Sequence, residues 1–159
     1  MISQTELKRL LYYEPLSGNF IRLITKCSRA KVGQIAGTTH PLGYIKICLN
    51  KKIYSAHRLA YLYQTGEWPP FEVDHINGNK SDNSWVNLRL ATSSQNKANR
   101  AKFRGVMLKG VQKRGNKFMA IARINCKLKY LGLYDTEEQA HAVYCEAARQ
   151  AFGAYHRAK

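Results

Sequence analysis

Apolar residues recur along this chain in two rhythms, one helical and one alternating, and the changes between them outline its elements. Gln4–Tyr13 places Leu7, Leu10 and Leu11 at helical spacing and runs into Pro15-Leu16-Ser17-Gly18-Asn19, a string of turn formers, so a short helix is expected there. Strand-like segments follow at Phe20–Ile24, Tyr44–Leu49 and Ile53–Ser55. The last two flank Asn50-Lys51-Lys52, a hairpin candidate, and Gly33, Gly37 and Gly43 punctuate the loops. Ala56–Gln64 then carries Ala56, Leu59, Ala60 and Tyr63 on one helical face. Gly66 sits where a left-handed cap is wanted, and Trp68-Pro69-Pro70 blocks continuation.

A short β segment at Phe71–Ile76 leads into Asn77-Gly78-Asn79-Lys80-Ser81-Asp82-Asn83, a polar loop whose side chains bond readily to backbone. Leu88–Ala91 reads as a second strand. Thr92 and Gln95 fit a capping box at the start of a helix that fades through Lys97–Lys102 into a basic linker. From Phe103 the period is two: Gly105–Val111, Phe118–Asn125 and Lys127–Tyr134, separated by Lys113-Arg114-Gly115-Asn116 and by Asn125-Cys126, predict a three-stranded antiparallel sheet. Alternation turns Phe118, Ala120, Ala122 and Ile124 to one face and Met119, Ile121, Arg123 and Asn125 to the other. Thr136 and Gln139 form a second capping box, opening a helix with Ala140, Val143, Tyr144, Ala147, Ala148 and Ala151 on one side and Gly153 at its end.

The pattern gives an α+β chain divided at 55/56 and 102/103. Its 159 residues allow one medium domain or two small ones and exclude a large enzyme barrel. Charge narrows the partners: 26 Lys+Arg against 10 Asp+Glu leave +16, shared equally between residues 1–100 and 101–159, which calls for a polyanion contacted by both halves. Glu6, Lys8 and Arg9 interrupt any apolar leader, and no run is long enough to span a bilayer, so a soluble cytoplasmic protein is expected. Cys27, Cys48, Cys126 and Cys145 form no close pair able to clamp zinc and are expected to be reduced, buried small hydrophobes.

Candidate chemistry gathers between residues 57 and 96. His57-Arg58-Leu59-Ala60, Val73-Asp74-His75-Ile76-Asn77-Gly78, Asn87-Leu88-Arg89 and Ser94-Gln95-Asn96 stand in an order and spacing that resembles the HNH endonucleases of the phage and intron-encoded branch. Hydrolysing a phosphodiester needs a positioned water, a base poised near neutral pH and positive charge on the developing oxyanion. The resemblance implies a ββα-metal unit in which Asp74 and Asn96 hold one magnesium or manganese ion, His75 is the general base and Asn87 braces the loop. It also implies 5′-phosphate and 3′-hydroxyl products, and one strand cut per chain. Asn at position 96 replaces the second His of the founding pattern, which points away from zinc. His57 reads as a packing or phosphate-contacting residue, and Arg58 and Arg89 as DNA contacts.

Residues 103–154 resemble the DNA-binding domain of plant ethylene-response factors, the Apetala-two type. The match rests on Arg104-Gly105-Val106, Lys117-Phe118, Ala122-Arg123-Ile124, Tyr130-Leu131-Gly132, Tyr134-Asp135-Thr136-Glu137-Glu138 and Ala140 through Ala148. It implies that the sheet face away from the helix meets duplex DNA, with Arg104, Lys117, Arg123 and Tyr130 at contact positions. Met119, Ile121 and Leu128 depart from the plant pattern, so base preference does not transfer. The expectation is a metal-dependent, homing-type or phage-encoded DNA endonuclease without a small-molecule cofactor, acting as a monomer or weak dimer. A DNA-binding regulator with a residual nuclease fold and an RNA-binding structural protein are the competing readings.

Overall fold

The computed structural model describes residues 1–100, 107–124 and 127–157. The chain forms two compact units, Met1–Leu90 and Ala91–Lys159.

In the first unit, helix α1 spans Gln4–Leu10 and is capped by Ser3, whose hydroxyl accepts the Glu6 N–H. The helix expected through Tyr13 stops at Leu10. Leu11 and Tyr13 are buried while Tyr12 is exposed, a period of two, so Leu11–Tyr13 becomes strand β1 and pairs antiparallel with β2, Phe20–Arg22. Strands β3 (Thr38–Thr39), β4 (Ile45–Leu49) and β5 (Lys52–Ser55) form a second antiparallel sheet. Asn50 and Lys51, at φ 49° and 63°, make the left-handed two-residue turn whose twist suits a β4–β5 hairpin.

Helix α2, Ala56–Thr65, ends at Gly66 with φ 87°, as the sequence predicts. Its Leu59, Ala60 and Leu62 share one core with Leu7, Leu10, Leu11, Tyr13, Phe20, Ile47 and Leu49. Tyr13, Phe20 and Tyr63 meet ring to ring. Gln4 Nε2 donates to the Tyr63 carbonyl at 2.8 Å and Trp68 Nε1 to the Ile2 carbonyl at 3.1 Å. Residues 1–55 are therefore packed with α2 around a common core, across the division expected at 55/56. Strands β6 (Glu72–His75) and β7 (Leu88–Ala91) pair with each other, linked by the polar loop and one 3-10 turn, Trp85–Asn87.

The second unit opens with helix α3, Ser93–Asn99, and its Thr92–Gln95 capping box. Lys109 Nζ donates to the carbonyls of Ala98 (2.5 Å), Arg100 (2.8 Å) and Arg157 (3.1 Å), and burial pushes its ammonium below its usual range. These bonds group α3 with the C-terminal unit. Strands β8 (Val111–Arg114), β9 (Lys117–Ile124) and β10 (Lys127–Tyr134) form an antiparallel sheet in the order β10-β9-β8. Lys113 and Arg114, expected in a turn, belong to β8 because only Gly115 and Asn116 are needed to close the β8–β9 hairpin. Of the strand expected at Gly105–Val111 only Val111 falls in β8, because the chain turns at residues 107–110 before it; Gly105 and Val106, like the expected Asn125-Cys126 turn, lie outside the described residues.

Helix α4, Glu137–Phe152, carries the Thr136–Gln139 capping box and buries Ala140, Tyr144 and Ala148. Phe118, Ala120, Ala122 and Ile124 join that core, so β9 faces the helix as its alternation predicts. Of the expected helix face, Ala151 is exposed. Cys27 and Cys48 are exposed and Cys145 half-buried, all three free, so the expectation of buried cysteines is corrected: Cys48 falls on the outward side of a strand whose Ile47 and Leu49 fill the core. No helix among the described residues is long and apolar enough to cross a membrane.

Candidate active site

Strand β6 is buried from Val73 through His75, so it presents Asp74 and His75 on opposite sides without exposing either; they retain 6% and 4% of their accessible surface. Arg89, one strand over on β7, donates to Asp74 Oδ2 through Nε at 3.1 Å and Nη2 at 3.0 Å. The sequence places Arg89 on DNA; in the fold its guanidinium forms an ion pair with the buried Asp74 carboxylate.

The loop between the strands is held by its own side chains. Asn87 Oδ1 accepts the Asn77 N–H at 2.9 Å, its Nδ2 donates to the Asp82 carbonyl at 2.8 Å, and its carbonyl accepts the Ile76 N–H at 2.9 Å. Asn77 Nδ2 donates to Asp82 Oδ2 at 2.7 Å, and Asn77 Oδ1 accepts the Asn79 N–H at 2.8 Å. The Ser84 hydroxyl donates to Asp82 Oδ1 at 2.7 Å and holds that carboxyl below the usual range. Tyr13 reaches in from β1, its hydroxyl donating to the Asn83 carbonyl at 2.7 Å.

His75 Nε2 lies 3.2 Å from Asn83 Oδ1. The ring of His57, from the first turn of α2, meets it nearly perpendicular, at 79° with centroids 5.1 Å apart, and Tyr44 lies 5.4 Å from His57 and 6.1 Å from His75. Burial lowers the pKa of His75, against the opposing pull of the Asn83 bond and of the Asp74 and Asp82 charges. Burial, with His75, Lys46 and Arg58 nearby, pushes His57 down to about 3, and its Nδ1 has no hydrogen-bond partner among the described residues. Both imidazoles are neutral at neutral pH, the state in which His75 can accept a proton.

A stability signature follows. A histidine kept neutral in the fold and free to protonate when unfolded contributes stability that is intact above pH 6.5 and is lost as pH falls toward its folded value of about 3. Between those limits the unfolding free energy should drop by about 1.4 kcal/mol per pH unit for each proton taken up. Urea unfolding of wild type and His57→Phe between pH 7 and 4.5 checks this. The variant is expected to show the shallower slope, and parallel slopes would contradict the assignment.

The other expected contacts are described within their own units. Arg58 lies over the Trp68 ring, 5.9 Å from its centroid, in a stack that includes Tyr54. Asn96 is half-buried in the first turns of α3, in the second unit. Lys117 pairs with Asp135 at 3.3 Å, both exposed. Arg123 and Tyr130 stand on the sheet face away from α4, where Met119, Ile121 and Arg123 pair with Leu133, Tyr130 and Leu128. Arg104 lies outside the described residues. Sequence reasoning left Asn83 and His57 out of the site. Nothing distinguishes Asn83 among its polar neighbours except its burial at 2% exposure, and His57 is marked only by following Ala56 onto the buried side of α2.

No group of three or more His, Cys, Asp or Glu side chains able to hold a metal occurs among the described residues. Asp74 and Asn96 offer a carboxylate and an amide oxygen, hard donors of the kind magnesium and manganese take while keeping places for water and phosphate. The donor chemistry fits such a cation.

Residues 54–98 match the family model HNH_3, described as HNH endonuclease, a little over a quarter of the chain. The matched segment runs from Tyr54 in β5 to Ala98 in α3 and contains His57, Asp74, His75, Asn83, Asn87, Arg89 and Asn96. No curated protein and no solved structure matches the chain. At family level, the match supports a nuclease acting on DNA.

Proposed function

We propose that this chain is a metal-dependent endonuclease that hydrolyses DNA phosphodiester bonds. The observation that carries the reading is a buried, neutral His75 beside a buried Asp74 on one strand, inside the segment similar to HNH endonucleases. His75 takes the proton of the attacking water. Asp74 and Asn96 would each offer an oxygen to a magnesium or manganese ion, and Arg89 holds the Asp74 carboxylate. Such an ion would supply Lewis-acid stabilisation of developing negative charge. Asn87 holds the loop that carries Asn83 to His75.

The outer face of the β8–β10 sheet is the proposed duplex-binding surface. Arg123 supplies a cation, Tyr130 is 62% exposed, and Leu128 and Leu133 offer apolar contact of the kind that suits thymine methyls. Base edges are read in the major groove, whereas a cation alone positions phosphate. One site per chain nicks one strand, so a double-strand break takes two chains or two events. A phage-encoded, homing-type role and a cytoplasmic setting belong to this reading.

Mapping cleavage ends tests it. Products are expected to carry 5′-phosphate and 3′-hydroxyl groups and to reseal with a DNA ligase without repair. Ends bearing 3′-phosphate would contradict the proposed displacement of the 3′ oxygen.

A further inference from the structure

We propose that Asn83 is a positioning residue that fixes the tautomer of His75, keeping the ring proton on Nε2 and the lone pair on Nδ1. The proposal deepens the nuclease reading and rests on it for its catalytic consequence.

The Asn83 amide has a defined orientation. Its Nδ2 donates to the Ser81 carbonyl at 3.1 Å, which turns Oδ1 toward the imidazole, 3.2 Å from His75 Nε2. A carbonyl oxygen only accepts, so Nε2 must carry the hydrogen. A neutral imidazole has one ring proton, and its lone pair then resides on Nδ1.

Asn83 is itself held from both sides. Its own carbonyl accepts the Tyr13 hydroxyl at 2.7 Å, and Gly18 packs so closely that an added Cβ would lie 2.2 Å from the Asn83 carbonyl carbon. A residue 2% exposed and pinned at side chain and backbone can impose an orientation on its neighbour rather than follow it. The perpendicular His57 ring restricts tilt of His75, but a ring face selects neither nitrogen. An imidazole in the other tautomer would turn an N–H, not a lone pair, toward the proton it must accept, a fault that costs far more than the hydrogen bond itself.

The test combines two-bond 1H–15N correlation spectra of the full-length protein at pH 8, where His75 is neutral, with single-turnover cleavage by the same variants. Wild type is expected to show Nε2 protonated and Nδ1 bare at His75. In Asn83→Leu, which keeps the volume and loses the acceptor, the Nδ1–H form should appear. Cleavage should slow by about 10-fold or more with KM for duplex unchanged. Asn83→Asp keeps an acceptor, so it should restore the Nε2–H form and recover rate, with the acid limb of its pH–rate profile displaced to higher pH.

An Nδ1–H signal in wild type would overturn the proposal, as would a wild-type tautomer or undiminished cleavage in Asn83→Leu. If Asn83→Leu fails to fold, the wild-type spectrum and Asn83→Asp decide: loss of Nε2–H in the latter sinks it. Wild type that cuts DNA yet carries Nδ1–H defeats this inference and leaves the nuclease reading standing. Wild type that never cuts, with the tautomer lost in Asn83→Leu, defeats the nuclease reading and leaves the tautomer assignment.

Discussion

Replacing His75 with alanine is expected to slow DNA cleavage by about 10²–10⁴-fold, the range that a positioned general base contributes, while leaving duplex binding intact. The separation follows from where the charge resides. His75 is a buried neutral ring, 4% exposed, and contributes nothing to the +16 excess that draws the chain to phosphate. The loop around it is braced by bonds among Asn77, Asp82 and Asn87, which remain when the His75 ring is removed, so the loop should keep its course. Single-turnover cleavage and fluorescence anisotropy on one duplex read the two effects separately. Equal cutting by variant and wild type would refute the base assignment, and lost binding would mean that the ring supports the fold instead.

The second large effect concerns Gly18, far in sequence from the candidate chemistry. Its φ is +75°, and a Cβ there would lie 2.2 Å from the Asn83 carbonyl carbon and 2.3 Å from the Ser84 nitrogen. Both atoms are backbone, so no rotamer change relieves the collision. Gly18→Ala should therefore destabilise the chain by about 3 kcal/mol, from the left-handed penalty and the enforced retreat of the loop together. Gly33 provides a control, because it shares a positive φ of +81° but has nothing within 4 Å of an added Cβ. Gly33→Ala should cost only about 1 kcal/mol. Urea unfolding compares them, and equal losses at the two positions would show that the close approach at Gly18 carries no energetic weight.

The Gly18 contact lies beyond the reach of local sequence rules, and that reach divides what the sequence shows from what it hides. Local rules act over a few residues, and they located the α2 cap at Gly66, both capping boxes, the β4–β5 turn and the side of β9 that meets α4. They failed at Leu11–Tyr13, where three leucines at helical spacing outweighed the alternation of Leu11, Tyr12 and Tyr13 that pairing with β2 enforces. They also drew Lys113 and Arg114 into a turn, because basic residues beside Gly115 resemble a loop until a partner strand is present. Asp74, His75 and Asn87 stood out because their spacing resembles a known family. Asn83 and His57 did not, since a tertiary neighbour, not a motif, brings each to His75: Tyr13 and Gly18 hold Asn83, and α2 carries His57. The Arg89–Asp74 ion pair was illegible for the same reason, since an arginine on a basic chain shows its carboxylate partner only once the two strands are paired.

Supercoiled plasmid incubated with the full-length protein, once with magnesium or manganese and once with excess chelator, tests the central claim most directly. Relaxed circles followed by linear DNA in the presence of the cation, with none under chelation, is the predicted result. Plasmid that stays supercoiled with either cation while being bound by the protein would contradict it and leave a DNA-binding protein that does not cut.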